Sequence, residues 1–251
     1  NSFNINDNIT KVPLSHKISI VMPSYNEEPF IEYAAQSILS QNIITKYPNS
    51  FELVVADSKS KDNTVEIAER YADKVVISPK GKLTTRNYVL NEIKGDIIVS
   101  IDADTYYPPN FLNQMLKVFD NGYEVVGTSG FTIDNLPYGH IINSLHPMVH
   151  YIDNYTLHLN RLYGRCSAYY TNLQRLEPFD ESIDQMNVDK MIQEEEIKFG
   201  NNLAKYGSIL FNPKACCFHF GSVKGRCRES VSYSEEVDSM YCEQIRNKER
   251  C

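Results

Sequence analysis

From residue 17 to 101 the chain alternates two kinds of apolar pattern. Short β-branched runs bounded by Gly, Pro, Asn or Asp read as buried strands, and stretches with apolar residues every three or four positions read as amphipathic helices. Ile18-Ser19-Ile20-Val21-Met22 is the first strand, stopped by Pro23. Phe30, Ile31, Ala34, Ile38 and Leu39 then recur at helical spacing, which predicts a helix over 28–40. Phe51 to Ala56 is the second strand and ends at Asp57. Asp62 can cap a helix whose apolar side is Val65, Ala68 and Tyr71 or Ala72. Lys74 to Ser78 is the third strand, Thr85 to Lys94 a helix closed by Gly95, and Ile97-Ile98-Val99-Ser100-Ile101 the fourth strand. Strands alternating with helices predict an α/β fold, a mostly parallel central sheet with helices on both faces.

The pattern is looser afterwards. Pro109 to Phe119 reads as a helix, Glu124 to Thr128 as a strand, and Ile141 to Leu162 as one or two helices rich in apolar residues and Tyr. Gly164 to Ala168 is a small-residue strand. Glu194 opens a helix that runs to Gly207. Ser208 to Asn212 and Ala215 to His219 read as two strands split by Pro213. The expected organisation is an N-terminal arm over 1–16, one domain over 17–225 with halves 17–128 and 129–225, and a charged helical extension over 226–251. That last helix carries a modest apolar side of Val237, Met240, Tyr241 and Ile245, suited to covering the core, a second subunit or a membrane surface.

Composition narrows the partners. A formal net charge of −7 argues against a nucleic-acid binder, which needs a basic face. No stretch approaches the ~18 consecutive apolar residues of a membrane span; the uncharged segment Leu136 to Ile152 is broken by His140, His146, His150 and two Pro. His146 and His150 lie four apart but flank Pro147, and with His158 they read as core or cleft residues rather than a metal site. No signal peptide is visible, although the chain opens on Asn1 rather than Met, which leaves room for an upstream piece. Cys166, Cys216, Cys217, Cys227, Cys242 and Cys251 include no CxxC pair. The expectation is reduced thiols in a cytoplasmic protein, with a link from Cys227 to Cys242 or Cys251 as the alternative.

Candidate chemistry lies at the strand ends, where open α/β sheets bind ligands. Pro23-Ser24-Tyr25-Asn26-Glu27-Glu28 follows the first strand, Asp57 to Thr64 the second, Lys80-Gly81-Lys82 and Thr85-Arg86-Asn87 the third, and Asp102-Ala103-Asp104 the fourth. Two carboxylates one residue apart repel unless a cation offsets them, and hard Mg2+ or Mn2+ is the natural partner. Each residue also has an ordinary structural explanation. Asn26, Glu27 and Asp57 suit turns and caps, Arg86 a surface ion pair, and Asp102-Ala103-Asp104 an acidic turn. Accident at four successive strand ends is the weaker explanation. Neither GxGxxG nor GxxxxGK[ST] occurs, which removes the dinucleotide and P-loop fingerprints.

These segments resemble a known family. Val21-Met22-Pro23-Ser24-Tyr25-Asn26-Glu27-Glu28 is similar to the opening signature of the family 2 glycosyltransferases, which have the GT-A fold. Val54 to Thr64 resembles their acidic second segment, Gly81 to Asn87 their third, and Asp102-Ala103-Asp104 their DxD motif. The resemblance implies Pro23, Tyr25 and Glu27 around the nucleotide base and ribose, and Asp57 accepting a hydrogen bond from the base, commonly uracil. It implies Arg86 near the donor sugar or diphosphate, Asp102 at the ribose or metal, and Asp104 on the metal. Lys59 and Lys61 stand where the family has acidic or glycine residues, which leaves the base open.

Further along, Phe179-Asp180 is similar to a Gly-Gly-Phe-Asp-Glu element of the family, with Glu177-Pro178 replacing the glycines. Counting back from Gly207 puts the family's Glu-Asp pair on Glu195-Glu196. Glu196 is then the expected catalytic base and Glu195 the fallback, although acidic residues at a helix start are also explained by the helix dipole. His219 resembles a late family histidine that completes the metal shell; a core role is the equal alternative. Lys224, Arg226 and Arg228 suit a loop facing the leaving diphosphate, or an ordinary basic turn.

The implied function is a metal-dependent inverting glycosyltransferase, with Mn2+ or Mg2+ as cofactor and a UDP-sugar favoured as donor. The acceptor is a glycan, lipid or protein hydroxyl, and the implied setting is cytoplasmic or peripheral at a membrane. The rivals are a sugar-phosphate nucleotidyltransferase, which needs a Gly-rich basic loop that Pro23-Ser24-Tyr25-Asn26 is not, and a degenerate nucleotide-sugar binder.

Overall fold

Period-two alternation divides the central strands cleanly between two cores. Ile18, Ile20, Met22, Leu53, Val55, Ile97, Val99 and Ile101 face one side, and Val21, Val54, Ala56, Val76 and Ile98 face the other. The computed structural model describes residues 16–120, 124–134, 152, 159–185 and 188–220. Residues 1–15 of the expected arm over 1–16, most of the region 141–158 with its histidines, the expected basic loop after Phe220 and final helix, and Cys227, Cys242 and Cys251 lie outside the described residues.

The strands are β1 (Ile18–Ser24), β2 (Phe51–Asp57), β3 (Lys74–Ile77), β4 (Ile97–Ile101), β5 (Thr105–Tyr106), β6 (Val125–Asp134), β7 (Cys166–Tyr170) and β8 (Ser208–His219). They form one sheet in the order β3-β2-β1-β4-β7-β6-β8-β5. The first four in that order are parallel, as is β6 with β8. β7 runs antiparallel to both β4 and β6, and β5 antiparallel to β8. Helix α1 (Ile31–Leu39) packs on the first core with α2 (Asn42–Lys46), α3 (Thr64–Ala68) and α5 (Phe111–Leu116). Helix α4 (Lys82–Tyr88) packs on the second core with α6 (Thr171–Leu176) and α7 (Val188–Leu203).

Several boundaries differ from the sequence reading, each for a local reason. β1 runs through Pro23, because β1–β4 pairing ends at Val21↔Ser100 and the missing N–H costs no ladder bond there. α4 starts at Lys82 rather than Thr85, because a carboxylate distant in sequence caps it, as described below. It ends at Tyr88 in the 3-10 turn Val89–Asn91. α7 starts at Val188, so Glu195 and Glu196 lie about two turns inside it and not at its dipolar end. β8 is a single strand through Pro213; the expected break survives as a register shift against β6 between Ser129 and Phe131.

The two antiparallel pairings build the rim. Because Ile101 pairs with Cys166, the start of β7 lies at the carboxyl end of β4, bringing Gly164 and Arg165 beside Asp102. Because Thr105 pairs with His219, the end of β8 lies beside Asp104.

Candidate active site

Arg86 is the hub. It sits on α4, 2% exposed, on the sheet face that carries Ser100. One terminal nitrogen donates to Ser100 Oγ at 2.8 Å; the other donates to Asp102 Oδ1 at 3.1 Å and to the Gly164 carbonyl at 3.2 Å. Ser100 Oγ also donates to that carbonyl at 2.6 Å. A Cβ on Gly164 would stand 2.8 Å from the Arg86 guanidinium, so only glycine admits this approach. Burial works against the Arg86 charge, but Glu195 and Asp102 outweigh it and hold the group more firmly protonated than usual.

The two glutamates take different places. Glu195 is 2% exposed, with Arg86 Nε 4.0 Å from one oxygen and Lys82 Nζ 3.7 Å from the other. Burial raises its pKa, and Lys82 and Arg86 only partly offset this. Among the described residues neither Glu195 oxygen has a hydrogen-bond partner, nor does Arg86 Nε. Glu196 accepts from the Gly164 N–H at 3.2 Å through Oε1 and from Arg161 Nε at 3.0 Å through Oε2. Gly164 thus bonds to Arg86 through its carbonyl and to Glu196 through its N–H.

The expected metal corner is divided. Asp104 Oδ2 lies 3.3 Å from His219 Nε2, and the Phe220 N–H donates to the Asp104 carbonyl at 2.9 Å. Asp102 instead turns its carboxylate to arginines: Oδ1 to Arg86, and Oδ2 to Arg165 Nε at 3.7 Å. Its N–H donates to the buried Tyr107 hydroxyl at 2.8 Å. Among the described residues no group of three or more His, Cys, Asp or Glu side chains is arranged to hold a metal. A carboxylate beside an imidazole nonetheless fits Mn2+ or Mg2+, which take few protein ligands and fill their shell with water and phosphate oxygens.

At the nucleotide end, Asp57 is 0% exposed. It accepts from Ser24 Oγ at 2.9 Å, the Ser60 N–H at 2.7 Å and Ser60 Oγ at 2.5 Å. Its carboxylate ties the first two loops together at the place where the sequence reading expects the base. Asn26 and Lys59 hold positive φ angles of 54° and 63°, and the Asn26 N–H donates to Ser60 Oγ at 2.8 Å. Tyr25 is exposed, with Lys80 Nζ 5.7 Å from its ring centroid. Pro23 is half-buried at the end of β1, and the Glu27 N–H donates to Thr64 Oγ1 at 2.8 Å.

The structure thus joins Arg86, Asp102, Glu195 and Glu196 in one network and pairs Asp104 with His219. Sequence reasoning placed Lys82 at the rim without a partner, and it missed Ser100, Arg161, Arg165 and Asp184. The last accepts from the backbone N–H groups of Leu83 and Thr84 at 2.9 to 3.1 Å, capping α4 from 100 residues away. No local motif signals such a partner.

Comparison with known proteins gives this geometry its class. A solved glucosyl-3-phosphoglycerate synthase from Mycobacterium tuberculosis, in complex with Mn2+, uridine-diphosphate-glucose and phosphoglyceric acid, superposes with a TM-score of 0.60 at 20% identity, over 90% of this chain and 76% of that one. A mannosyltransferase from Pyrobaculum calidifontis, in complex with GDP-Man and Mn2+, superposes with a TM-score of 0.58 at 20% identity, over 81% of this chain and 56% of that one. The fold is that of the GT-A glycosyltransferases. The glycosyl transferase family 2 profile matches residues 19–173, and the chain belongs to that family. Curated relatives include undecaprenyl-phosphate 4-deoxy-4-formamido-L-arabinose transferases. The protein from Photorhabdus laumondii is 31% identical over 120 residues, 45% of this chain and 36% of its own length. That from Edwardsiella ictaluri is 32% identical over 120 residues, 44% of this chain and 36% of its own length. The matched stretch thus spans little more than a third of these relatives.

Proposed function

We propose that this glycosyltransferase moves a sugar, with inversion, from a nucleotide-sugar donor, a UDP-sugar first, to an acceptor oxygen. The observation that supports this best is the Arg86 hub. A buried cation joins the DxD strand end, the small-residue turn at Gly164 and the acidic helix α7, so the donor side and the acceptor side move as one unit.

The parts divide as follows. Pro23, Tyr25 and Glu27 line the base and ribose end, with Tyr25 offering an exposed ring to stack on and the Asp57 bonds keeping the loop in shape. Arg86 and Asp102 orient the donor at its sugar and diphosphate. Asp104 and His219 would hold Mn2+ or Mg2+, with Asp102 close by. When bound, that ion neutralises the diphosphate and eases departure of the nucleoside diphosphate. Glu196, on the far side of Gly164, belongs to the acceptor. For a hydroxyl acceptor it is the base the sequence reading expects. The relatives' names add a lipid phosphate as a second acceptor class, which would place the protein at a membrane surface; no helix among the described residues is long and apolar enough to cross one.

The test is nucleoside diphosphate release from UDP- and GDP-sugars with and without Mn2+. Release that needs Mn2+ and is lost in Asp104→Ala, by about 10²-fold or more, is the expected result. Pyrophosphate release from a nucleoside triphosphate and a sugar phosphate would favour the nucleotidyltransferase rival. Donor binding without any release would favour the degenerate binder.

A further inference from the structure

One side chain fixes the turn that carries Asp102 and Asp104 from inside the protein. Tyr107 is 1% exposed, and its hydroxyl accepts the Asp102 N–H at 2.8 Å. The Asp102 carbonyl stands 3.3 Å from the same oxygen. Both main-chain polar groups of Asp102 thus meet a single atom, which sets the backbone at that residue and the direction in which its side chain leaves. The hydroxyl's shorter carbonyl contact is to Arg165, at 3.1 Å and 58 residues away in sequence. It therefore links the turn after β4 to the turn before β7. The rest of Tyr107 is held from the other end. Its N–H donates to Ser37 Oγ at 3.1 Å, its carbonyl accepts from Gln41 Nε2 at 3.0 Å, and its ring packs on Phe111 with centroids 4.8 Å apart. Gln41 is fully buried; its Nε2 also donates to the Pro108 carbonyl at 2.6 Å, and its Oε1 accepts the Leu112 N–H at 3.1 Å. A buried amide is costly unless it is satisfied, and satisfying this one anchors segment 107–112 to the end of α1. The hydroxyl reaches the rim on a fixed post. A phenylalanine would fill the same ring space, so packing explains the ring and leaves the hydroxyl to be explained.

Resting on the transferase reading above, we infer that Tyr107 is a positioning residue for the donor's diphosphate end. Its hydroxyl aims Asp102 at Arg86 and holds the turn after β4 and the turn before β7 as one piece. Aimed this way, Asp102 keeps Oδ1 on Arg86 at 3.1 Å and Oδ2 3.7 Å from Arg165 Nε, which leaves Asp104, two residues on, beside His219. Without the hydroxyl the Asp102 N–H loses its partner and the two turns lose this link. The Asp102 carboxylate is then free to swing at its backbone, and the donor meets a rim whose two sides no longer keep register. Tyr107 touches no reacting atom in this account; it acts through Asp102.

Tyr107→Phe in the full chain keeps the ring and removes the link. Phe111→Leu is the control, since it loosens packing against the same ring and touches no polar group of the rim. Hydrogen exchange read by mass spectrometry tests the joint with no ligand present. In Tyr107→Phe exchange should quicken over both 102–106 and 163–166; in Phe111→Leu it should stay unchanged over 163–166. Calorimetry with Mn2+ and UDP or GDP, whichever the wild type binds, tests what the joint is for. Tyr107→Phe should bind the nucleotide about tenfold more weakly and Phe111→Leu within about twofold, as expected for losing a bond that orients a site carboxylate. With a turned-over donor, Tyr107→Phe should raise the donor KM about tenfold and lower kcat by less than about threefold. Four results overturn the inference: an exchange response confined to 102–106, nucleotide affinity unchanged in Tyr107→Phe, equal weakening in the two variants, or a fall in kcat at unchanged KM. Failure of the wild type to bind either nucleotide sinks the transferase reading instead, and the exchange pattern still decides whether Tyr107 joins the two turns.

Discussion

Glu195 shows how one residue's surroundings set its job. It was legible only as one of two adjacent acids, with nothing in the local sequence to say which faces the cleft. The α7 register turns it inward, against Arg86 and Lys82, and turns Glu196 toward Gly164 and Arg161. A buried carboxylate with no hydrogen bond is costly in its charged form, and burial accordingly raises its pKa above the usual 4.5. The sign of the linkage follows. The folded state holds this proton more tightly than the unfolded chain, so the contribution is fully present below pH 4.5 and is lost as pH climbs through the raised value. In Glu195→Gln that contribution cannot titrate. Wild-type stability minus that of Glu195→Gln should therefore decline as pH rises above 4.5 and then level off, read from urea midpoints at a series of pH values. A difference that grows with pH would show that Arg86 and Lys82 outweigh desolvation.

At the scale of elements, the first four strands were readable and the helix starts were not. Strand identity comes from local chemistry: β-branched runs, alternation onto two cores, and Pro or Asp at the ends. Helix α4 begins three residues earlier than its apolar pattern indicates, because its first turn is satisfied from outside. Gly81, with φ of 131°, has no side chain to cap with, and Asp184 accepts from the backbone N–H groups of Leu83 and Thr84 in its place. Farther along the helix, Asn87 clasps the backbone of Phe179, donating to its carbonyl at 2.9 Å and accepting from its N–H at 3.0 Å. The Phe179 ring stacks on Phe199 of α7 with centroids 4.0 Å apart. The segment 179–184 therefore fixes both the start and the far end of the helix that carries Arg86. Asp184→Ala should cost about 1 kcal/mol of stability, the usual worth of a lost cap. It should also raise the donor KM more than it lowers kcat, because Arg86 shifts without any reacting group being removed. An unchanged donor KM with the stability loss intact would show that the cap serves the helix and not the site.

For the molecule as a whole, the site is a consequence of strand order. Four parallel strands deliver the loops after β1 to β4 to one rim, and that much follows from the alternation of strands and helices. The reversal at β7 and the return of β8 to β5 do not. They depend on pairings across more than 60 residues, and no residue near Gly164 or His219 announces its partner strand. So the motif residues were found by their place at strand ends and their resemblance to family motifs, while their cationic neighbours Arg161 and Arg165 emerged only from the fold. The same architecture predicts how stability responds to ligand. The rim is contributed by separate elements of both cores, and a nucleotide that bridges them binds the folded chain and not the unfolded one. At ligand concentrations near 100 Kd such binding adds about 2.7 kcal/mol. For a chain of this size that corresponds to a rise in Tm of roughly 5–10 °C. UDP with Mn2+ should produce a shift in this range, UDP alone a smaller one, and Asp104→Ala should bring the two together. A shift of equal size with and without Mn2+ in the wild type would place the diphosphate's counter-charge on Arg86 and its neighbours instead of at the Asp104–His219 corner.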